Sequence, residues 1–225
     1  MSSLEESNLR HIYRQRFAES QQGQRNRLWK TICKHWFQRY VEPTDVVLDL
    51  AAGYCEFINN INCGSKIAVD LNEDVARHAN PDVRVVHAKS QELVGIDSDS
   101  VDVVFVSNFF EHLPDKKSFL DTLTEIRRVL KPAGRLLILQ PNIRLVGGAY
   151  WDFVDHYLPL TDRTVVEALG LVDLEPIEVR PRFLPYSTNS GLPQAPWLVA
   201  LYLHVPIARL ILGKQAFIVA RKPSS

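Results

Sequence analysis

Two kinds of apolar spacing divide the chain. Leu28, Trp29, Ile32, Cys33, Trp36, Phe37 and Tyr40 recur every three or four positions, which predicts an amphipathic helix, and a weaker stripe of the same kind runs through Leu9, Ile12, Tyr13 and Phe17. After the punctuating "EPTD" the pattern changes to short, continuous apolar runs: Val46–Leu50, Lys66–Asp70, Val83–His87, Val101–Ser107 and Arg135–Gln140 read as strands. Between them Gly53–Ile61, Asn72–Ala79 and Lys116–Leu130 read as helices, the last one stopped by Pro132 and Gly134 of "KPAG". Strands that are apolar throughout belong to a parallel sheet covered on both faces. Farther on, Thr161–Leu169 predicts a helix capped by Thr161, and Val172–Val179 and Ala216–Ala220 predict two closing strands.

With right-handed crossovers this order gives an α/β, Rossmann-like, doubly wound and mostly parallel sheet of seven strands. Residues 1–42 form an N-terminal helical cap on a domain spanning 43–225, and the proline-bearing segment at about 181–213 is an insertion between the last two strands, suited to a lid or a partner surface. Within it, Ala195–Leu212 is apolar enough to weigh as a membrane span. Its 18 residues include His204, Arg209 and Pro206, so it is too short and too interrupted to cross, and burial or contact with a membrane surface remains.

Composition narrows the partners. The chain has 225 residues with 26 basic and 26 acidic side chains, so its formal net charge is zero and no general field draws it to nucleic acid or to an anionic membrane. Cys33, Cys55 and Cys63 are odd in number and lack CxxC spacing, which fits neither a disulfide framework nor a zinc ribbon and suits a reducing cytoplasm. The polar, acidic start MSSLEESNLR is the reverse of a secretory signal. The seven histidines show no metal-ligand spacing, and no metal is expected.

Doubly wound sheets bind ligands beyond the carboxyl ends of their strands. Three features fall there. "VVLDLAAGYCEF" at 46–57 joins a strand bearing Asp49 to a turn of small residues, Ala51, Ala52 and Gly53, that lets a ligand approach the backbone. Asp70 closes the next strand, 21 positions after Asp49, where a carboxylate can accept from ribose hydroxyls. Ser107 and Asn108 follow the fourth strand directly in "VFVSNFFEHLPD".

On "VLDLAAGYCEF", "AVDLNEDV", "HAKSQEL" and "VDVVFVSNFFEHLPDKKSFLDTLTEIRRVLKPAGRLLILQPN", the stretch 45–141 resembles the class I S-adenosylmethionine-dependent methyltransferases, and within them the branch acting on small molecules and glycans. The resemblance implies S-adenosylmethionine as cofactor and S-adenosylhomocysteine as product. It implies that Asp49, Ala51 and Gly53 line the methionine end, that Asp70 holds the ribose with Leu71 against the adenine, that Ser90 and Gln91 flank the adenine edge, and that Asn108 lies beneath the sulfonium. Two positions depart from the family pattern. Cys55 stands where a third glycine is usual and would crowd the turn at positive φ, and Lys89, where an acidic residue is common, has no acceptor for the adenine amine. The tail from Arg180 to Gln215 resembles methyltransferases of bacterial surface-polysaccharide synthesis, with basic residues flanking an apolar surface that could meet a lipid-linked acceptor.

An alcohol acceptor needs a base, and "PNIRLVGGAYWDFVDHYLPLTD" supplies candidates: Asp152, Asp155 and His156 could take a proton, with His156, oriented by a neighbouring carboxylate, as the first choice and His112 of "EHLPD" second, and Trp151, Phe153 and Tyr157 as walls for the acceptor. Tyr13 and Arg16 are placed to reach the methionine carboxylate. The expected activity is O-methylation of a sugar or glycan hydroxyl. A nicotinamide-dependent oxidoreductase and a catalytically silent nucleoside-binding protein are the competing readings; Ala51–Glu56 breaks the GxGxxG fingerprint of the former.

Overall fold

The computed structural model describes residues 19–186 and 195–224. It contains one seven-stranded sheet in the order β3-β2-β1-β4-β5-β7-β6. The strands are β1 (Val46–Leu50), β2 (Ser65–Asp70), β3 (Val83–His87), β4 (Val101–Ser107), β5 (Leu130–Pro141), β6 (Glu175–Arg180) and β7 (Gln215–Arg221). The first five run parallel, and β7 lies antiparallel between β5 and β6. The chain winds outward from β1 to β3, then restarts on the other side of β1 with β4. That reversal between β1 and β4 is where a doubly wound sheet opens a crevice for a ligand.

Period-two alternation sends each strand's side chains to two separate cores. On one face Leu48, Leu50, Val104, Val106 and Ile138 meet α3 (Lys116–Val129) and α5 (Asp162–Leu171) through Phe119, Leu123, Ile126, Val165 and Leu169. On the other, Val47, Val103, Phe105, Leu137 and Phe217 meet α1 (Glu19–His35) and the segment after it through Ile32, Trp36 and Phe37. Burying each such side chain contributes about 1.5–3 kcal/mol, so β4, with Val101, Val103, Val104, Phe105 and Val106 all buried, anchors both layers. Asp115 and Thr161 cap α3 and α5 by accepting from the amides of Ser118 and Thr164.

Between β6 and β7, α6 (Pro196–His204) and α7 (Pro206–Leu212) fold back onto α1. Tyr202 donates to the Phe183 carbonyl, and the buried Arg209 guanidinium lies 4.7 Å above the Trp36 ring and donates to the Leu203 carbonyl. Two short helices, α2 (Val75–His78) and α4 (Ile143–Val146), complete the set among the described residues.

The expected helix over 53–61 forms as consecutive turns instead. Cys55 sits at φ 57°, and a left-handed residue cannot propagate an α-helix; helix-like bonds resume only with Asn59 N–H to the Cys55 carbonyl. β6 starts at Glu175 because α5 runs on to Leu171 and Asp173, at φ 52°, reverses the chain.

Candidate active site

Strand register lines up the carboxyl edge. Leu50 pairs with Val69 of β2 and Val106 of β4, and Ser107 pairs with Leu139 of β5. One step beyond Leu50, the residues Asp70, Ala51, Ser107 and Leu139 form a row across four neighbouring strands, and Asn108 and Gln140 follow one residue further out. The sheet thus brings three of the sequence-predicted features to one rim.

The loop after β1 is wound into a conformation that side chains resist. Ala51, Gly53 and Cys55 have φ of 57°, 52° and 57°. The alternation of left-handed residues turns the backbone back on itself under the crevice, and strain of this kind concentrates at ligand sites. Cys55 tolerates the position because its side chain is fully buried, with Sγ 3.8 Å from the Val75 carbonyl, so it packs inward instead of crowding the turn. Burial pushes its thiol up to about 12.

Asp70 holds the loop in place. One carboxylate oxygen accepts from Gly53 N–H and the other from Asn72 N–H, each at 2.8 Å. The Leu71 backbone adds to these, and a carboxylate with about four lone-pair positions keeps room for a hydroxyl. Leu71, the next residue, exposes its side chain beside it. Asp49 is buried and accepts from the Ile58 backbone; desolvation raises its pKa well above the carboxylate range, with Asp70 and Glu56 adding repulsion. Glu56 and Asp70 are themselves raised, chiefly by burial. Arg25 of α1 reaches Glu56 at 2.7 Å and lies over the Tyr54 ring. Sequence reasoning did not single out Arg25; Tyr13 and Arg16 lie outside the described residues.

Burial favours the neutral form of Asp49, and Glu56 is paired with Arg25, so Asp70 is the carboxylate this rim offers to a ligand. Ser90 is buried and its hydroxyl engages Thr122 at 2.9 Å, so its side chain serves the core; Gln91 is half-exposed and Lys89 exposed. Asn108 is left-handed (φ 47°), its N–H tied to the Leu139 carbonyl and its amide donating to Ser107 Oγ.

Across the row lies a second cluster. Glu111 is buried and accepts from Gln140 Nε2 at 3.0 Å, and burial raises its pKa. Its backbone carbonyl accepts from the amides of Tyr157 and Leu158, which docks the segment after β5 against the end of β4. That contact brings His112 and His156 together with ring centroids 5.1 Å apart. His112 Nδ1 meets the Asp155 carbonyl at 2.8 Å and the Asp155 carboxylate at 3.2 Å; His156 Nδ1 meets the Tyr150 carbonyl at 2.8 Å. A carbonyl acceptor requires Nδ1–H, which sets both rings in the tautomer whose Nε2 carries the lone pair. The carboxylate seen on a histidine is thus Asp155, on His112, whereas Asp152 is exposed on the 3₁₀ turn Gly147–Asp152. Glu111, His112 and His156 each offer a donor atom, all within 4.8 Å of one another, a grouping able to hold a metal ion that sequence spacing did not show. Trp151 and Tyr157 stand exposed beside the cluster, and Phe153 packs on His156 at 4.9 Å between centroids.

Residues 48–138 match the family model described as "Methyltransferase domain". A demethylmenaquinone methyltransferase of Symbiobacterium thermophilum is 28% identical over 146 residues, which span 58% of this chain and 57% of that protein. Among solved structures, a SAM-dependent methyltransferase of Archaeoglobus fulgidus superposes with a TM-score of 0.65 at 20% identity, covering 88% of this chain and 94% of the other. Geranyl diphosphate methyltransferase, solved with SAM, superposes at 0.61 and 18% identity, covering 86% and 84%. Residues 48–138 thus resemble a methyltransferase domain, on a Rossmann-like fold shared with solved S-adenosylmethionine-dependent methyltransferases, and these matches do not favour the nicotinamide reading. Among the described residues no helix is long and apolar enough to cross a membrane.

Proposed function

We propose that the chain transfers the methyl group of S-adenosylmethionine to a hydroxyl of a small-molecule acceptor, a sugar or glycan. The cofactor supplies a carbon already activated by a sulfonium, so what the protein has to add is alignment and a proton acceptor. Asp70 and Leu71 would hold the ribose and adenine, while the loop Ala51–Gly53 and Asn108, near the buried carboxylate of Asp49, would hold the methionine end. His112 is the base: Asp155, through Nδ1, fixes the tautomer in which Nε2 can take the hydroxyl proton. His156 sits alongside as a positioning residue. Exposed Trp151 and Tyr157 suit the apolar face of a sugar ring.

The observation that carries this reading is the His112–Asp155 pair, assembled on the rim that also carries Asp70 and Asn108. The test is transfer of labelled methyl from S-adenosylmethionine to a panel of sugars and glycans, with demethylmenaquinone, the acceptor in the relative's name, as the comparison. A hydroxyl-bearing sugar should be methylated, and His112→Ala should lower kcat about 10²–10⁴-fold with S-adenosylhomocysteine affinity unchanged. Full turnover by His112→Ala, or methylation of the quinone alone, would refute the assignment.

A further inference from the structure

α6 and α7 turn an apolar face outward. Trp197 and Leu201 lie one turn apart on α6, and Ile207, Leu210 and Ile211 recur at three- and four-residue spacing on α7; these five are 54–69% exposed. The inward side of the same helices is accounted for: Leu203 is buried, Val199 and Tyr202 pack on the core below, and Arg209 is buried over Trp36. The outward face therefore does not serve to anchor the lobe, and five large apolar side chains exposed on two successive helices mark a contact site.

Charge identifies the occupant. The two chain segments that build this lobe contain no aspartate or glutamate, neither between Ser20 and Val41 nor from Val179 to Ser225, so all 26 acidic residues of a net-neutral chain lie elsewhere. Lys214 is exposed directly after α7, Arg27, Lys30 and Lys34 are exposed on α1 against which α6 packs, and Arg182 is half-exposed at the entry to the insertion. Leucine, isoleucine and tryptophan at the centre with bases around them are the chemistry of an interfacial helix on an anionic lipid surface. Each basic group near such a surface adds attraction that salt weakens. Protein partners with this signature would need an acidic apolar groove, and a second copy of this chain would set one basic lobe against another.

We propose that the α6–α7 lobe is a membrane-contacting surface that seats the protein peripherally on anionic lipid. Neither helix is long enough to span, so the contact is monotopic. This inference is independent of the acceptor's identity. Sedimentation of the full chain with phosphatidylcholine vesicles containing phosphatidylglycerol, and with phosphatidylcholine alone, tests it. The wild type should pellet with the anionic vesicles only, and added salt should release it. The double variant Ile207→Asn with Ile211→Asn should partition about tenfold more weakly or worse, and Lys214→Glu about tenfold more weakly, with circular dichroism and melting temperature unchanged. Failure of the wild type to pellet, pelleting indifferent to lipid charge, or a dimer in analytical ultracentrifugation that the double variant dissolves would overturn the proposal, the last by showing that a second copy covers the face.

Discussion

Ala51 allows the strain in the β1 loop to be measured directly. Its φ of 57° puts an L-residue with a Cβ in the left-handed region, which costs about 1–2 kcal/mol. Glycine at this position removes that cost and adds about 0.5–1 kcal/mol of unfolded-chain entropy to be lost on folding. The methyl group is only half-buried, so its loss subtracts a few tenths at most. Ala51→Gly should therefore stabilise the protein by about 0.5 kcal/mol, or roughly 1–2 °C for a chain of this size. Ala52, the next residue, is buried and has no positive φ; Ala52→Gly should destabilise by about 1 kcal/mol. Urea denaturation of the two variants, with equal m values, gives the comparison. The opposite signs are the signature. If the loop is held left-handed for the sake of a ligand, Ala51→Gly should bind S-adenosylhomocysteine no more weakly than wild type, because glycine reaches the same turn without strain. A loss of stability in Ala51→Gly equal to that in Ala52→Gly would refute the reasoning.

Two further outcomes follow from the carboxylates. Asp70→Asn should weaken S-adenosylhomocysteine about 10–100-fold by isothermal calorimetry, since charge-assisted bonds to a ribose diol are worth about 1.5–3 kcal/mol; affinity within twofold of wild type removes Asp70 from the ribose site. Asp49 has a folded pKa raised by burial, so its neutral form is favoured in the native state and wild-type stability falls as pH rises from the ordinary carboxylate value, 3.8, through the folded one. Asp49→Asn, which can still accept from Ile58, should lack that loss: its advantage over wild type should grow with pH, at up to about 1.4 kcal/mol per unit, and parallel pH–stability profiles would show that Asp49 is not buried as described.

What could be read from the chain follows from where the information resides. β1, β3 and β4 were bounded correctly because a strand buried on both faces writes itself as an apolar run, and α3 because Phe119, Leu123 and Ile126 keep helical spacing with Asp115 as cap. The turns over 53–60 were misread as a helix because a left-handed Cys55 is a backbone event that leaves Phe57, Ile58 and Ile61 at spacings a helix would also use. β5 begins at Leu130, the last residue of the expected helix, because Leu130 pairs with Val101 across a register shift before the main ladder resumes at Arg135; no local pattern encodes a bulge made by a partner strand.

The site divided along the same line. Asp49, Ala51, Gly53, Asp70 and Asn108 follow strands whose ends were legible, so their convergence on one rim could be deduced from the order of a wound sheet. The histidine pair could not. His112 and His156 belong to different crossovers, and they meet because the Glu111 carbonyl captures two amides beyond β5, a contact that depends on backbone groups every residue possesses. Asp152 and Asp155 are equivalent candidates in the sequence, and only the fold separates them: the 3₁₀ turn ends at Asp152 and leaves it outward, and three residues later the chain turns in. The proposed nucleoside half of the site is thus a property of the fold, carried by strand ends. The proposed proton-accepting half is a property of one docked loop, and exchanging that loop is how such a domain would change its acceptor while keeping its cofactor.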